Sequence, residues 1–279
     1  MITLRCLVDN TVLRGSSLWG EHGVSFLIET SARRVLFDFG QSGEVLAHNA
    51  AEMSIDLGQV DALVLSHAHN DHTGGIESFF SLSRGKVPLY ANPGLFRERY
   101  SVKENKSRSI GLKLSYDQLA QRVDLRLSAE PVQVVEGVWT SGEIRDRTEF
   151  QGSSPNLFVK ENGDWLPDPY LDDLSLVLET DSGLVLVCGC CHAGLLNTLA
   201  HIRRHFSGEI LAIVGGTHLV SADAEILAHA IEVIGEYCGG SIPFLYPNHC
   251  TGEHAFYALL GAFGEKVQPC PVGTVLRFG

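Results

Sequence analysis

A chain of 279 residues with 44% hydrophobic content can build one substantial core, and it reads as a single domain over residues 1–279. Its 21 Lys and Arg against 33 Asp and Glu give a formal charge of −12, which argues against nucleic-acid backbones and anionic membrane surfaces as partners and favours a small molecule. Seven cysteines, three of them crowded at Cys188, Cys190 and Cys191, do not resemble a secreted disulfide framework, and Met1 to Cys6 lacks a charged leader with a long apolar run. A cytoplasmic protein with reduced thiols is expected.

Ile2 to Val8 alternates as a strand, and Asp9-Asn10 opens a polar loop to Gly20. Glu21-His22-Gly23, a surface turn or a pocket edge, precedes a second strand, Val24 to Glu29. Arg33-Arg34 links it to Val35–Asp38, and a helix is expected from Ser42 to Met53. Asp61 to Leu65 is a short apolar run of strand length, and Ile76, Phe79, Phe80 and Leu82 mark an amphipathic helix after Gly74-Gly75. Between them lies Ser66-His67-Ala68-His69-Asn70-Asp71-His72-Thr73, with four metal-type ligands within six residues of a strand-to-helix loop. There His67 and His69 can converge on one point while Asp71 and His72 turn toward a second. Imidazole with carboxylate suits zinc, as one or two ions, with manganese or iron as alternatives.

Val87 to Ala91 is the next strand. Residues 97–128 carry Arg97, Arg99, Lys103, Lys106, Arg108 and Lys113, the one basic region of an acidic chain. They read as an insertion or mobile lid outside the core, either a solvated loop or a phosphate-steering element with Arg97 as a substrate contact. Val132 to Trp139 returns to strand pattern, and a Pro/Asp-rich loop ends in Asp168-Pro169-Tyr170-Leu171-Asp172-Asp173. Strands Leu174–Glu179 and Leu184–Cys188 are joined by Asp181-Ser182-Gly183. Cys190-Cys191-His192 then sits at another strand-to-helix junction, before the helical apolar face Leu195, Leu196, Leu199 and Ile202.

Ile210 to Val214 leads into Gly215-Gly216-Thr217-His218 and a helix from about Ala222 to Tyr237, so His218 is a candidate substrate contact. Phe244-Leu245-Tyr246 leads into Pro247-Asn248-His249-Cys250-Thr251-Gly252 and a last helix to Phe263. The Thr251-Gly252 backbone offers N–H groups to an anion. His201 and His205, beside Arg203 and Arg204, read as surface residues complementing a helix C-terminus, and His48, His229 and His254 also read as surface residues.

The His67 to His72 motif resembles that of the metallo-β-lactamase superfamily. The resemblance extends through Leu7–Thr11, Glu21-His22-Gly23, Phe37–Ser42, Gly189–Gly194, Gly215–Leu219 and His249–Gly252 to the branch of dihydropterin ribofuranosylaminobenzene phosphate synthase. It implies an α+β fold, a four-layer αβ/βα sandwich with two mixed β-sheets flanked by helices. It also implies that Asp38 supports the metal loop from behind, that His192 completes the first position with His67 and His69, and that His249 completes the second with Asp71 and His72. Where the superfamily usually ends a strand in Gly-Asp, this chain has Gly189-Cys190, and Cys190 is expected as a small apolar filler with thiolate ligation as the alternative. The function implied is hydrolysis by a metal-held hydroxide that Asp71 orients, and the basic 97–128 segment with the Thr251-Gly252 N–H groups points to an anionic, phosphorylated small molecule as the substrate. The alternative is a transferase joining a pterin methyl diphosphate to an arylamine ribose phosphate and releasing diphosphate. A degenerate binding or sensing protein is disfavoured by the intact motif.

Overall fold

A computed structural model describes residues 1–104 and 106–279; Asn105, within the basic 97–128 segment, lies outside them. The chain opens with β1 (Ile2–Val8), β2 (Ser25–Glu29) and β3 (Arg34–Phe37), followed by α1 (Gly43–Glu52), β4 (Ala62–Val64), the one-turn α2 (Asn70–Thr73), α3 (Ile76–Leu82) and β5 (Pro88–Ala91). Next come β6 (Arg99–Lys103), β7 (Lys106–Ser109), α4 (Tyr116–Arg122), β8 (Asp124–Leu127), β9 (Gln133–Val135) and β10 (Val138–Thr140). A hairpin of β11 (Leu157–Glu161) and β12 (Asp164–Pro167) precedes β13 (Ser175–Thr180) and β14 (Gly183–Cys188). The last third alternates α5 (Leu195–His205), β15 (Ile210–Gly215), α6 (Ala224–Tyr237), β16 (Phe244–Pro247), α7 (Glu253–Phe263) and β17 (Val275–Phe278).

Alternation along the strands decides the layers. In β3, Val35 and Phe37 point to one side and Leu36 to the other, and all three are fully buried, so this strand is covered on both faces. Two mixed sheets result, of seven strands in the order β17-β1-β2-β3-β4-β5-β8 and of six in the order β16-β15-β14-β13-β10-β9. Their facing sides meet through Leu4, Phe26, Phe37 and Val64 against Val138, Leu176, Val187 and Val214. Helices α1, α3 and α4 cover the far side of the first sheet through Leu46, Phe79 and Leu119, and α5, α6 and α7 cover the second through Leu199, Ile234 and Leu259. Each such buried Leu, Ile or Phe contributes about 1.5–3 kcal/mol relative to exposure. The layers are helix, sheet, sheet, helix, as the resemblance implies.

Two features depart from expectation. A third, four-stranded antiparallel sheet, in the order β12-β11-β6-β7, joins two hairpins far apart in sequence. Residues 97–128 are also not a lid outside the core. Helix α4 starts in a capping box between Ser115 and Gln118, buries Leu119 and leads into β8, which pairs in parallel with β5. The abundant charge of this segment hid a one-sided apolar stripe, and only the β6–β7 hairpin stands off the main sheets.

The functional loops share one edge of the molecule because the strands before them run parallel: β3, β4 and β5 in one sheet, and β14, β15 and β16 in the other. Asp38 follows β3, His67 to His72 follow β4, Cys190 to His192 follow β14, His218 follows β15 and His249 follows β16. Ser66 O accepts the Leu174 N–H at 3.0 Å, joining the two sheets at that edge.

Candidate metal centre

The loop after β4 is held at several points. Asp38, fully buried and in a left-handed conformation at φ 59°, accepts Ser66 N–H at 2.7 Å and the Ser66 hydroxyl at 2.6 Å. Asp172 accepts Ala68 N–H at 2.9 Å, and Ile110 O accepts Asn70 N–H at 2.7 Å. The end of β14 comes so close that a Cβ on Gly189 would sit 2.3 Å from Ser66 Oγ, so only glycine allows this approach.

Two groups of side chains converge there. His67, His69 and His192 offer donor atoms within 4.8 Å of one another, and Asp71, His72, Cys190 and His249 form a second such group. The groups adjoin, with the His67 and His72 ring centroids 4.1 Å apart. In the first, His67 Nε2 lies 3.1 Å from His69 Nδ1, and His192 Nε2 is buried without a partner. In the second, Asp71 Oδ2 lies 3.5 Å from His249 Nε2 and 3.8 Å from His72 Nε2, and Cys190 Sγ is 3.1 Å from His72 Nε2.

The outer nitrogens show how the rings are aimed. His67 Nδ1 meets Ser66 Oγ at 2.9 Å, His72 Nδ1 meets Asp38 Oδ2 at 2.6 Å, His192 Nδ1 donates to Gly152 O at 2.7 Å, and His249 Nδ1 meets Asn10 Oδ1 at 3.1 Å. A buried, unpartnered polar nitrogen costs about 1–3 kcal/mol. His192 Nε2 and His249 Nε2 point inward without partners, and the outer nitrogens of four of the five rings are held, the pattern expected around a transition metal. The donor set, three imidazoles beside a carboxylate, two imidazoles and a thiol, suits zinc or a similar borderline ion.

Protonation runs the same way. Burial, reinforced by the neighbouring imidazoles, pushes His67 and His192 well below the usual histidine range and keeps them neutral. Burial by itself would raise Asp71, but His72, His22 and His249 outweigh it and hold the carboxylate well below its usual range. Burial acts to lower His72, yet Asp38 and Asp71 raise it overall. Burial and the neighbouring Cys250 raise the Cys190 thiol, so ligation there must displace a proton.

All six sequence-predicted donors and Asp38 lie in or directly against these groups. The Cys190 sulfur, expected as an apolar filler with ligation as the alternative, lies within the second group, while Cys188 and Cys191 pack into the apolar layer under α5. His218, left-handed at φ 50°, brings its ring to 4.4 Å from that of His192, with Nδ1 buried and unpartnered and its pKa pushed by burial down to about 4. A Cβ on Gly152 would sit 2.4 Å from His218 Cβ, so a glycine there makes room for this ring.

The Thr251 N–H, expected to be open to an anion, donates to Asn248 O at 3.0 Å. Thr251 is 2% exposed, and its hydroxyl accepts Thr217 N–H at 3.2 Å and meets Thr217 Oγ1 at 3.0 Å, tying two functional loops together. Arg97 pairs with Glu161 at 3.4 Å, whereas Arg99 is buried between Asp168 and Asp172 and cannot steer ligands from solution. His201 is buried, with Nε2 2.8 Å from Ser141 O, because it lies on the inner side of α5. His22 is at the rim, with Nε2 3.2 Å from Asp71 Oδ2. Sequence reading missed Asn10, Asp168 and Tyr170, whose ring stacks on His192 at 4.2 Å and 4°. An acidic run inside an otherwise apolar stretch was the available signal. Backbone strain gathers here as well: Asp38, Tyr170, Cys191, His218 and His249 all have left-handed φ and all lie in this region.

The sequence profile of the metallo-beta-lactamase superfamily matches residues 18–143. The chain is 27% identical to 7,8-dihydropterin-6-methyl-4-(beta-D-ribofuranosyl)-aminobenzene-5'-phosphate synthase of Methanocaldococcus jannaschii, over 99% of this chain and 97% of that one. It is 29% identical to an uncharacterized protein of the same archaeon, over 92% and 93% of the two chains. A crystal structure of a metal-dependent hydrolase of the beta-lactamase superfamily superposes with a TM-score of 0.84 at 26% identity, covering 100% of this chain and 99% of the other.

Proposed function

We propose that this chain is an enzyme of the metallo-β-lactamase superfamily, a metal-dependent hydrolase of an anionic, phosphorylated small molecule, a reading supported by the profile match and by similarity along the whole chain. The observation that carries the reading is the pair of adjoining donor groups, each with one buried inward nitrogen, His192 Nε2 or His249 Nε2, that has no partner. His67, His69 and His192 would hold one ion and Asp71, His72, His249 and Cys190 a second, zinc foremost, with manganese or iron as alternatives. A metal held there supplies Lewis acidity and lowers the pKa of water from about 15.7 toward about 7.

The residues provide the rest. Asp71, ionised throughout the neutral range, accepts a hydrogen bond from the attacking water and orients it. His218, neutral above about pH 4, offers a hydrogen bond rather than a charge to the substrate's anionic group. Arg97, paired with Glu161, would add at most weak attraction for an anion in a chain whose net charge is −12. The 27% identity over 99% of the chain favours a second reading, transfer of a pterin methyl group to an arylamine with release of diphosphate.

Elemental analysis and a substrate panel test both. Protein prepared without chelators is expected to carry transition metal, to turn over phosphate esters or diphosphates and to leave neutral β-lactams intact, with KM rising as salt screens the approach. Arg97→Gln should raise KM slightly and leave kcat unchanged. Metal-free protein that gains no thermal stability with zinc, manganese or iron sinks the metal reading. Fast, salt-indifferent cleavage of neutral esters overturns the anionic substrate. Diphosphate release that requires an added arylamine selects the transferase.

A further inference from the structure

Four of the five clustered histidines have an outer partner within hydrogen-bond distance; among the described residues His69 has none. Its Nε2 is buried with no partner, and a carboxylate oxygen near it, Asp168 Oδ2, is 3.7 Å away. That carboxylate belongs to the loop after β12 and is itself locked. Arg99 Nε of β6 donates to Asp168 Oδ2 at 2.8 Å, and Tyr170 N–H donates to Asp168 Oδ1 at 2.9 Å. The second arm of Arg99, Nη2, donates to Asp172 Oδ1, whose other oxygen accepts Ala68 N–H between His67 and His69. The Arg99 side chain is 1% exposed and those of Asp168 and Asp172 0% and 1%, so this ionic bridge is dry. It joins the small sheet to the loop that carries two of the three imidazoles. Through Tyr170, stacked on His192, it reaches the third.

We infer that Asp168 and Arg99 are positioning residues for the first metal position: Asp168 is the outer acceptor of His69 Nε2–H, and Arg99 fixes that carboxylate and the Ala68 backbone together. The hydrogen bond closes from 3.7 Å when His69 Nδ1 is drawn inward, as hydrogen bonds in unliganded sites commonly tighten on loading. Fixing the tautomer puts the proton on Nε2 and the lone pair on Nδ1, and the carboxylate raises the basicity of that lone pair. The 97–128 segment thereby serves the centre through a buried guanidinium and not through exposed charge. A lysine cannot replace it, because one ammonium cannot span both carboxylates in the planar, two-armed geometry.

This inference rests on the metal centre proposed above, and its test separates the two. In the full chain carrying His249→Ala, so that the first group alone remains complete, zinc affinity is measured by competition with a chromophoric chelator, and the cobalt(II) absorption spectrum is recorded. Asp168→Ala is expected to weaken zinc about 10–100-fold and to shift the cobalt bands, with a smaller loss in Arg99→Lys. Secondary structure by circular dichroism should be unchanged. If Asp168→Ala does not fold, Asp168→Asn, which keeps the size and an acceptor for Arg99, should still weaken zinc measurably. Equal affinity and identical cobalt spectra in folded variants overturn the positioning role while leaving the centre intact. A parent chain that binds neither ion sinks both readings.

Discussion

The two donor groups adjoin, yet they are built differently. His67, His69 and His192 are buried and drawn from loops after β4 and β14, and burial among other imidazoles keeps His67 and His192 neutral. The second group adds the ionised Asp71 and the protonated thiol of Cys190 to His72 and His249, and His72 is backed by the buried Asp38. A neutral group can accept a cation with little proton release, whereas a group containing a thiol must lose a proton and is the more sensitive to pH. The comparison teaches that the first group is set for retention and the second for adjustment.

The largest expected effect tests that division directly. His69→Ala should remove the metal of the first group, and His249→Ala that of the second. Cys190→Ser should spare the first and weaken the second by an amount that grows above neutral pH, where the thiolate forms more readily. Metal content and chelator competition across pH read this out. If Cys190→Ser left affinity unchanged at every pH, the second group would consist of Asp71, His72 and His249 alone.

A smaller effect is expected at Asp38, which supports the second group from behind. Asp38→Ala leaves Ser66 N–H, the Ser66 hydroxyl and His72 Nδ1 without their acceptor. Each orphaned buried donor costs about 1–3 kcal/mol, and metal affinity should fall about 10–100-fold. Denaturant unfolding of the metal-free chain separates the stability loss from the affinity loss. An affinity loss confined to the first group would contradict the assignment of Asp38 to His72.

The smallest effect lies at the boundary of the two groups. His218 titrates near pH 4 when folded and near 6.5 when unfolded. Its depressed pKa means that the unfolded chain binds more protons between those values. The stability His218 contributes is present above about pH 6.5 and lost as pH falls toward 4, by at most about 3 kcal/mol. In metal-free protein, His218→Gln should flatten the acid limb of the melting temperature between pH 6.5 and 4. A limb of unchanged slope would mean that His218 is hydrated when folded.

Much was legible in the sequence, for a local reason. His67, His69, Asp71 and His72 fall within six residues, and apolar runs followed by Gly, Asp or His mark each strand end, so the donors and the layered fold follow from spacing, periodicity and family resemblance. What a buried group touches is not local. Arg99 meets Asp168 across 69 residues of chain, so its charge reads as solvent-facing until the small sheet forms. Thr251 pairs with Thr217 across 34 residues, and His201 with Ser141 across 60. Cys188, Cys190 and Cys191 differ only in which way the backbone turns after β14: two sulfurs enter the apolar layer and one enters the donor group. Sequence by itself determined the residue types available at the centre and the order of the strands that carry them. Tertiary structure decided which polar side chains meet as partners, because a buried charge or thiol takes its role from neighbours that only the packed sheets bring within a few ångströms.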